Sequence, residues 1–265
     1  MKIVVFDLDE TLGYFVEFGI FYDCLNRYIN QTIQNQQFFN ELLDLYPEFL
    51  RPNILEILNY LKSKKESYCC DKLMIYTNNQ GSSSWAYQIK SYFETKIHFT
   101  LFDQIIAAFK INGKRIEVYR TTHDKSYNDL IRCSKLPLDA EICFIDDNFF
   151  PGMINKNVYY INLKPYIHDL TLETMIERFL NSQISKNLLI ESYEFKQFMK
   201  KEFELYNYTI NIKKKEEHEV DQIISKQILV HLKEFFDKSL NTKVKKTKTR
   251  KTFIKRRNKT HKNLY

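Results

Sequence analysis

Glycine and proline are scarce, with five of each in 265 residues. No cluster of them fences off residues 20–50, so a helical stretch there reads as an insert within one domain. CxxC pairs are absent, and the five cysteines (Cys24, Cys69, Cys70, Cys133, Cys143) are odd in number. That argues against a disulfide framework and for buried thiols in a reducing compartment. No apolar run approaches membrane length. Met1 leads straight into the first apolar run, with no room for a signal or transit peptide. The expectation is an intracellular protein with no membrane contact. Acids are missing from 241–265, which carries eleven Lys or Arg. This tail outweighs the formal net charge of +7, so the body of the chain is mildly acidic. Val244, Phe253 and Ile254 are almost its only apolar anchors, and such a segment is expected to be disordered. It reads as a nuclear-import signal, a contact for nucleic acid or another polyanion, or a solubilising end.

Against these absences stand two acidic pairs at the ends of apolar runs. Ile3-Val4-Val5-Phe6 has the pattern of a fully buried strand, and it ends in Asp7-Leu8-Asp9-Glu10-Thr11-Leu12. Two like charges about 4 Å apart repel by about 4 kcal/mol at an effective dielectric near 20. A divalent cation offsets that repulsion. The second run, Ile142-Cys143-Phe144-Ile145, ends in Asp146-Asp147. In an open α/β sheet the carboxyl ends of strands converge on one crevice. Asp7, Asp9, Asp146 and Asp147 gathered there read as a Mg²⁺ site.

The elements predicted along the chain alternate between the two types. Gly13 is placed at a sharp turn, and Tyr14–Phe18 at a strand-like flap. Helical spacing over Ile20–Tyr46 predicts two helices broken near Asn35. Arg51-Pro52 is read as the start of a helix. Lys72–Tyr76 reads as a strand, followed by Thr77-Asn78-Asn79-Gln80-Gly81. Ser82 or Ser83 is expected to cap a helix carrying Trp85, Ile89 and Phe93. Phe102–Ala108 is a further strand, and Asn112-Gly113 a tight turn with Arg115–Tyr119 returning across it. Asp124 is expected to cap a helix running from Lys125 to about Cys133. Val158–Leu163 is the last strand and Leu172–Leu180 the helix after it. The whole predicts a three-layer αβα sandwich on a mostly parallel sheet over 1–183. An amphipathic helical extension over 184–240 is read as a layer packed on the core, with a partner-binding helix as the sharper alternative.

Taken in order, Asp7-Leu8-Asp9-Glu10-Thr11, Thr77, Lys125 and Asp146-Asp147 resemble the motif set of the haloacid dehalogenase superfamily of phosphohydrolases. Asp7-Leu8-Asp9-Glu10-Thr11-Leu12 and the later Arg51-Pro52 look most like the phosphatases of the RNA polymerase II C-terminal domain. The resemblance implies the Rossmann-like fold of that superfamily and Mg²⁺-dependent hydrolysis of phosphomonoesters through an aspartyl-phosphate. Asp7 would be the nucleophile and Asp9 the general acid and then base. Asp7, Asp146, Asp147 and the Asp9 carbonyl would hold the ion. Thr77 and Asn78 would hold the phosphoryl group, with Thr11 beside them tightening the loop. Lys125 would place an ammonium on the same group, with Lys114, Arg115 and Arg120 as competing cations. Asn148 and His123 are secondary candidates.

The likeness to the polymerase-tail phosphatases is incomplete. Their motif lysine is usually followed directly by Asp-Leu, whereas Asp129-Leu130 comes four residues after Lys125. Their last acidic pair is usually followed by Ser-Pro, whereas here Asn148-Phe149-Phe150-Pro151 follows. Thr77–Gly81 is closer to the Thr-Asn-Gln element of polynucleotide 3′-phosphatases. The substrate expected is a phosphoserine or phosphothreonine protein, with a 3′-phosphorylated nucleic-acid end as the alternative. A non-catalytic binding module tethered by the basic tail is the reading from another class.

Overall fold

The computed structural model describes residues 1–30, 35–82, 84–206 and 212–238. The basic tail expected to be disordered and to contact polyanions lies outside them. At the centre is a five-stranded parallel sheet in the order β3-β2-β1-β6-β7. Its strands are β1 (Lys2–Phe6), β2 (Lys72–Tyr76), β3 (Gln104–Ile106), β6 (Glu141–Asp146) and β7 (Val158–Asn162). The apolar runs that predicted buried strands are β1 and β6, which lie side by side with Phe6 opposite Ile145.

Strand alternation sends successive side chains to opposite faces. Val4, Phe6, Leu73, Ile75, Cys143 and Ile145 join one apolar core, and Ile3, Val5, Met74, Tyr76, Ile142 and Phe144 join another. The first core is covered by α1 (Val16–Tyr28), α2 (Gln36–Asp44), α3 (Ile54–Glu66), α4 (Trp85–Ile97) and α6 (Leu172–Asn181). The second is covered by α5 (Tyr127–Ser134), through Tyr127, Leu130 and Cys133. Helices therefore flank the sheet on both faces. The break expected near Asn35 is a helix cap: the Asn35 carboxamide oxygen accepts from the N–H groups of Gln37 and Phe38. At Asn112-Gly113, with φ of 49° and 76°, a two-residue hairpin joins β4 (Lys110–Ile111) to β5 (Lys114–Arg115).

The expected extension contains α7 (Gln183–Asn187), α8 (Ser192–Glu204) and α9 (Lys215–Asp237). Phe195, Met199, Ile228, Leu232 and Phe235 bury their side chains in the first core, so these helices do form a layer on it. Lys2 donates to the carbonyls of Phe235, Phe236 and Lys238, tying the start of β1 to the negative end of α9.

Three local expectations are corrected. Tyr14–Phe18 is not a flap: α1 begins at Val16. Phe15, Phe18, Phe21, Tyr22 and Leu25 are all buried, and that helical spacing outweighs the strand composition of the segment. The residue ahead of α4 is Ser84, which makes no side-chain cap bond. Ser83 lies outside the described residues, and Ser82 gives its carbonyl to the N–H of Trp85. Asp124 does not cap α5. Ser126 does, accepting from the Asp129 N–H, so Lys125 sits in the loop before the helix.

Candidate active site

The sheet fixes where the acids go. β1 and β6 are neighbours whose onward connections leave in opposite directions, β1 toward β2 and β6 toward β7. This is a topological switch point, where a crevice opens at the strands' carboxyl ends. Asp7 follows the last residue of β1 and stays in the ladder, its N–H donating to the Ile145 carbonyl. Asp146 ends β6 and Asp147 follows it. Single carboxylate oxygens of Asp7, Asp146 and Asp147 lie within 4.8 Å of one another, and all three residues are buried.

Lys125 answers part of that charge. Its buried ammonium pairs with Asp7 Oδ1 and stands 2.7 Å from Asp146 Oδ2. The rings of Tyr76, Phe144 and Phe150 surround it at 5.4–5.9 Å from their centroids. Three carboxylates against one ammonium still leave the cluster anionic. Burial, with the Asp7 charge opposing ionisation, pushes the Asp146 and Asp147 carboxyls above their ordinary range. Mg²⁺ holds its oxygens at about 2.0–2.1 Å, so opposite ligands stand about 4.2 Å apart. The all-oxygen chemistry of the three carboxylates suits such an ion, and spacings of up to 4.8 Å would need to close by about half an ångström around it.

Asp9 sits apart from the cluster. Its Oδ2 accepts from Asn79 Nδ2 at 2.7 Å, and its Oδ1 is enclosed with no hydrogen-bond partner. Burial first, and the nearby Asp7 charge after it, raise this carboxyl to about 7. The Asp9 carboxyl is not one of the three that lie together.

Thr77 continues β2, its N–H donating to the Ile106 carbonyl. Its hydroxyl oxygen accepts from the Asn79 N–H at 2.9 Å. A cleft of about 210 Å³ is lined by Asp7, Asp9, Thr77, Asn78, Lys125 and Asp147, with Glu10, Asn79, Asn148 and Phe150 completing the wall. Of the catalytic, substrate and metal residues read from sequence, Asp146 is not on that wall, and neither is Thr11. The Thr11 hydroxyl donates to Asp147 Oδ1 at 3.0 Å and accepts from the Asp147 N–H, which makes it a clamp between the two acidic motifs. Asn148 makes a similar clamp, donating its N–H to Asp146 Oδ1 and its side-chain amide to Asp147 Oδ2. His123 is exposed and gives its carbonyl to Arg120.

The competing cations do other work. Lys114 and Arg115 belong to the exposed hairpin strand. Arg120 is fully buried and donates to the carbonyls of Thr77, Ala107 and His123 and to Asn78 Oδ1. One guanidinium thus holds the Thr77-Asn78 loop to the segment that leads into Lys125. Arg51 plays the matching part beneath the first motif. It is buried, and it donates to the carbonyls of Thr11, Glu10 and Lys164. Burial drops its guanidinium to about 10. Gly13 lets the chain pass: a Cβ there would stand 2.4 Å from the Phe49 carbonyl oxygen.

Sequence reasoning missed the buried roles of Arg120 and Arg51, and it quoted Asn79 without a role. The only available signal was position, since Asn79 follows the strand-end Thr77 and Arg120 precedes Lys125 by five residues. Among the described residues no helix is long and apolar enough to cross a membrane. Comparison with protein-family models, with curated proteins and with solved structures gives no match.

Proposed function

We propose that the chain is a Mg²⁺-dependent phosphomonoester hydrolase that works through an aspartyl-phosphate on Asp7. One observation carries the reading. Two aspartates two residues apart are given opposite surroundings, Asp7 paired with an ammonium and Asp9 enclosed and held near 7 beside Asn79. An ion-paired carboxyl beside one raised by burial is how one site gets both a nucleophile and an acid. The order of motifs and the acids at the β1–β6 switch point support a haloacid dehalogenase-like core.

In this reading an Asp7 oxygen attacks phosphorus while the Asp9 carboxyl gives its proton to the departing alcohol oxygen. Asp9, now a carboxylate, takes a proton from water as that water attacks the aspartyl-phosphate. Inorganic phosphate leaves, and both side chains return to their starting states. Asp7, Asp146 and Asp147 would hold Mg²⁺, which supplies charge neutralisation between an anionic nucleophile and an anionic phosphate. Lys125 and the Thr77 hydroxyl neutralise and orient phosphoryl oxygens. Asn79 aims the Asp9 carboxyl.

The charge of the cleft favours a protein substrate. Leaving out the protonated Asp9, its wall carries Asp7, Glu10 and Asp147 against the single cation Lys125. A nucleic-acid strand brings its own row of phosphates and needs basic partners. A phosphoserine or phosphothreonine in a polypeptide brings only one. The test is turnover of a phosphopeptide and of a 3′-phosphorylated oligonucleotide by the full chain with MgCl₂. Faster phosphopeptide hydrolysis is expected. The reverse order would move the substrate to nucleic-acid ends, and no turnover of any phosphate ester would leave a non-catalytic module. Retention on DNA or RNA that falls steeply with salt, and is lost on deleting 241–265, is the outcome expected for a polyanion contact by the tail.

A further inference from the structure

A second cavity of about 280 Å³ adjoins the cleft, with Asn79 as a wall common to both. One side is a face of α1, where Val16, Gly19, Ile20 and Asp23 follow one another at helical spacing. The other side is Gly81, Ser82 and the Trp85 ring at the start of α4. Trp85 is anchored from behind by Phe18, Tyr22 and Phe39, whose ring centroids lie 5.5–6.4 Å away. Gly19 keeps the cavity open: a Cβ there would already stand 3.3 Å from the Trp85 ring.

The cavity has an apolar floor and an acidic rim. Asp23 is exposed and has no cation within ion-pair distance among the described residues, the Arg27 guanidinium one turn along acting on it while paired to Glu202. No Lys or Arg lines the cavity. Glu10 on the neighbouring cleft wall adds to the same sign of charge. Pockets that enclose drug-sized ligands run to about 300–1,000 Å³, so this one has room for a single side chain. A hydrocarbon stem that lies on Trp85 and ends in a cation matches both features, because lysine and arginine bury their stems while their charged heads stay in water.

We propose that this cavity is a specificity subsite that takes a lysine or arginine side chain flanking the phosphorylated residue, its stem on Trp85 and its cation at Asp23. The proposal rests on the phosphatase reading and names the sequence context of the substrate. Phosphate-rich nucleic acid and acidic phosphopeptides are disfavoured by the same rim.

The test compares three phosphoserine peptides that differ only in the residues flanking the phosphoserine, which are arginine, alanine or glutamate. The full chain with MgCl₂ is assayed for kcat/KM on each, alongside a generic aryl phosphate. Wild type is expected to favour the arginine peptide over the alanine peptide by about fivefold, the upper range for a solvent-accessible ion pair. Asp23→Lys is expected to erase that preference and favour the glutamate peptide. The position is exposed, and a thermal melt checks that the variant folds. Equal kcat/KM on all three peptides, or a preference that survives in Asp23→Lys, would overturn the subsite while leaving the phosphatase reading intact. Failure of wild type to hydrolyse even the aryl phosphate would overturn both.

Discussion

The acidic cleft and the aromatic cavity beside it share Asn79 but are built by opposite means. The cleft is made of titratable groups at strand ends, each held by a hydrogen bond or an ion pair: Lys125 on Asp7 and Asp146, Thr11 and Asn148 on Asp147, Asn79 on Asp9. The cavity is made of apolar surface, held by the ring cluster of Phe18, Tyr22, Phe39 and Trp85. Contacts in the cleft are few and specific, so removing one leaves a buried charge without its partner. Contacts in the cavity wall are many and individually weak, so removing one is graded. The cleft is suited to chemistry and the cavity to recognition, and substitutions in the two should fail differently.

The largest contrast is expected from Asp7→Asn. Loss of a nucleophile costs about a thousandfold or more in turnover, so hydrolysis of an aryl phosphate should fall to the assay background while the fold survives. Wild-type turnover in that variant would remove Asp7 from the chemistry. Lys125→Met comes next. It strips the ammonium from two buried carboxylates, a change that costs about 3–5 kcal/mol in a buried pair. Chemical denaturation without divalent cations should show that loss. MgCl₂ should raise the melting temperature of this variant more than that of wild type, since added cations meet a more strongly anionic cluster. No shift in either protein would mean that the three carboxylates do not take up the ion.

Arg120→Met is expected to remove about 2–3 kcal/mol of stability, because the Thr77, Ala107 and His123 carbonyls lose a shared charged donor. It should also lower kcat, since the Thr77 and Lys125 segments lose their common tie. Unchanged kcat at reduced stability would make Arg120 a structural residue alone. On the cavity side, Trp85→Phe should cost about 1–1.5 kcal/mol in a denaturation curve, the range for a smaller ring in a packed aromatic cluster. A loss as large as that of Lys125→Met would break the comparison between graded and all-or-none contacts.

The two regions were also unequally legible in the sequence. The cleft could be read because buried parallel strands announce themselves as unbroken apolar runs, and the residue after such a run must emerge at the carboxyl end of the sheet. Asp7 after Ile3–Phe6 and Asp146-Asp147 after Ile142–Ile145 were therefore placed without side-chain detail. Lys125 was placed in the cleft but on the wrong element. Local chemistry favoured Asp124 as a cap, whereas the long-range pull of two buried carboxylates holds Lys125 ahead of the helix and leaves Ser126 to cap it. Arg51 and Arg120 looked like a helix start and a competing phosphate ligand. Both instead satisfy main-chain carbonyls brought together only by the fold. The cavity gave no local signal. Its walls come from α1 and from the turn before α4, more than fifty residues apart in sequence, and the stretch that opens α1, Tyr14–Phe18, had strand-like composition.

The central claim is covalent phosphorylation of Asp7. The full chain would be mixed with an aryl phosphate and MgCl₂, quenched in acid within the first turnovers, digested, and examined by mass spectrometry. The account predicts a phosphoryl group on the peptide carrying Asp7, absent when Asp7→Asn is treated in the same way. Steady hydrolysis with no adduct on that peptide, matched by full turnover in Asp7→Asn, would contradict it.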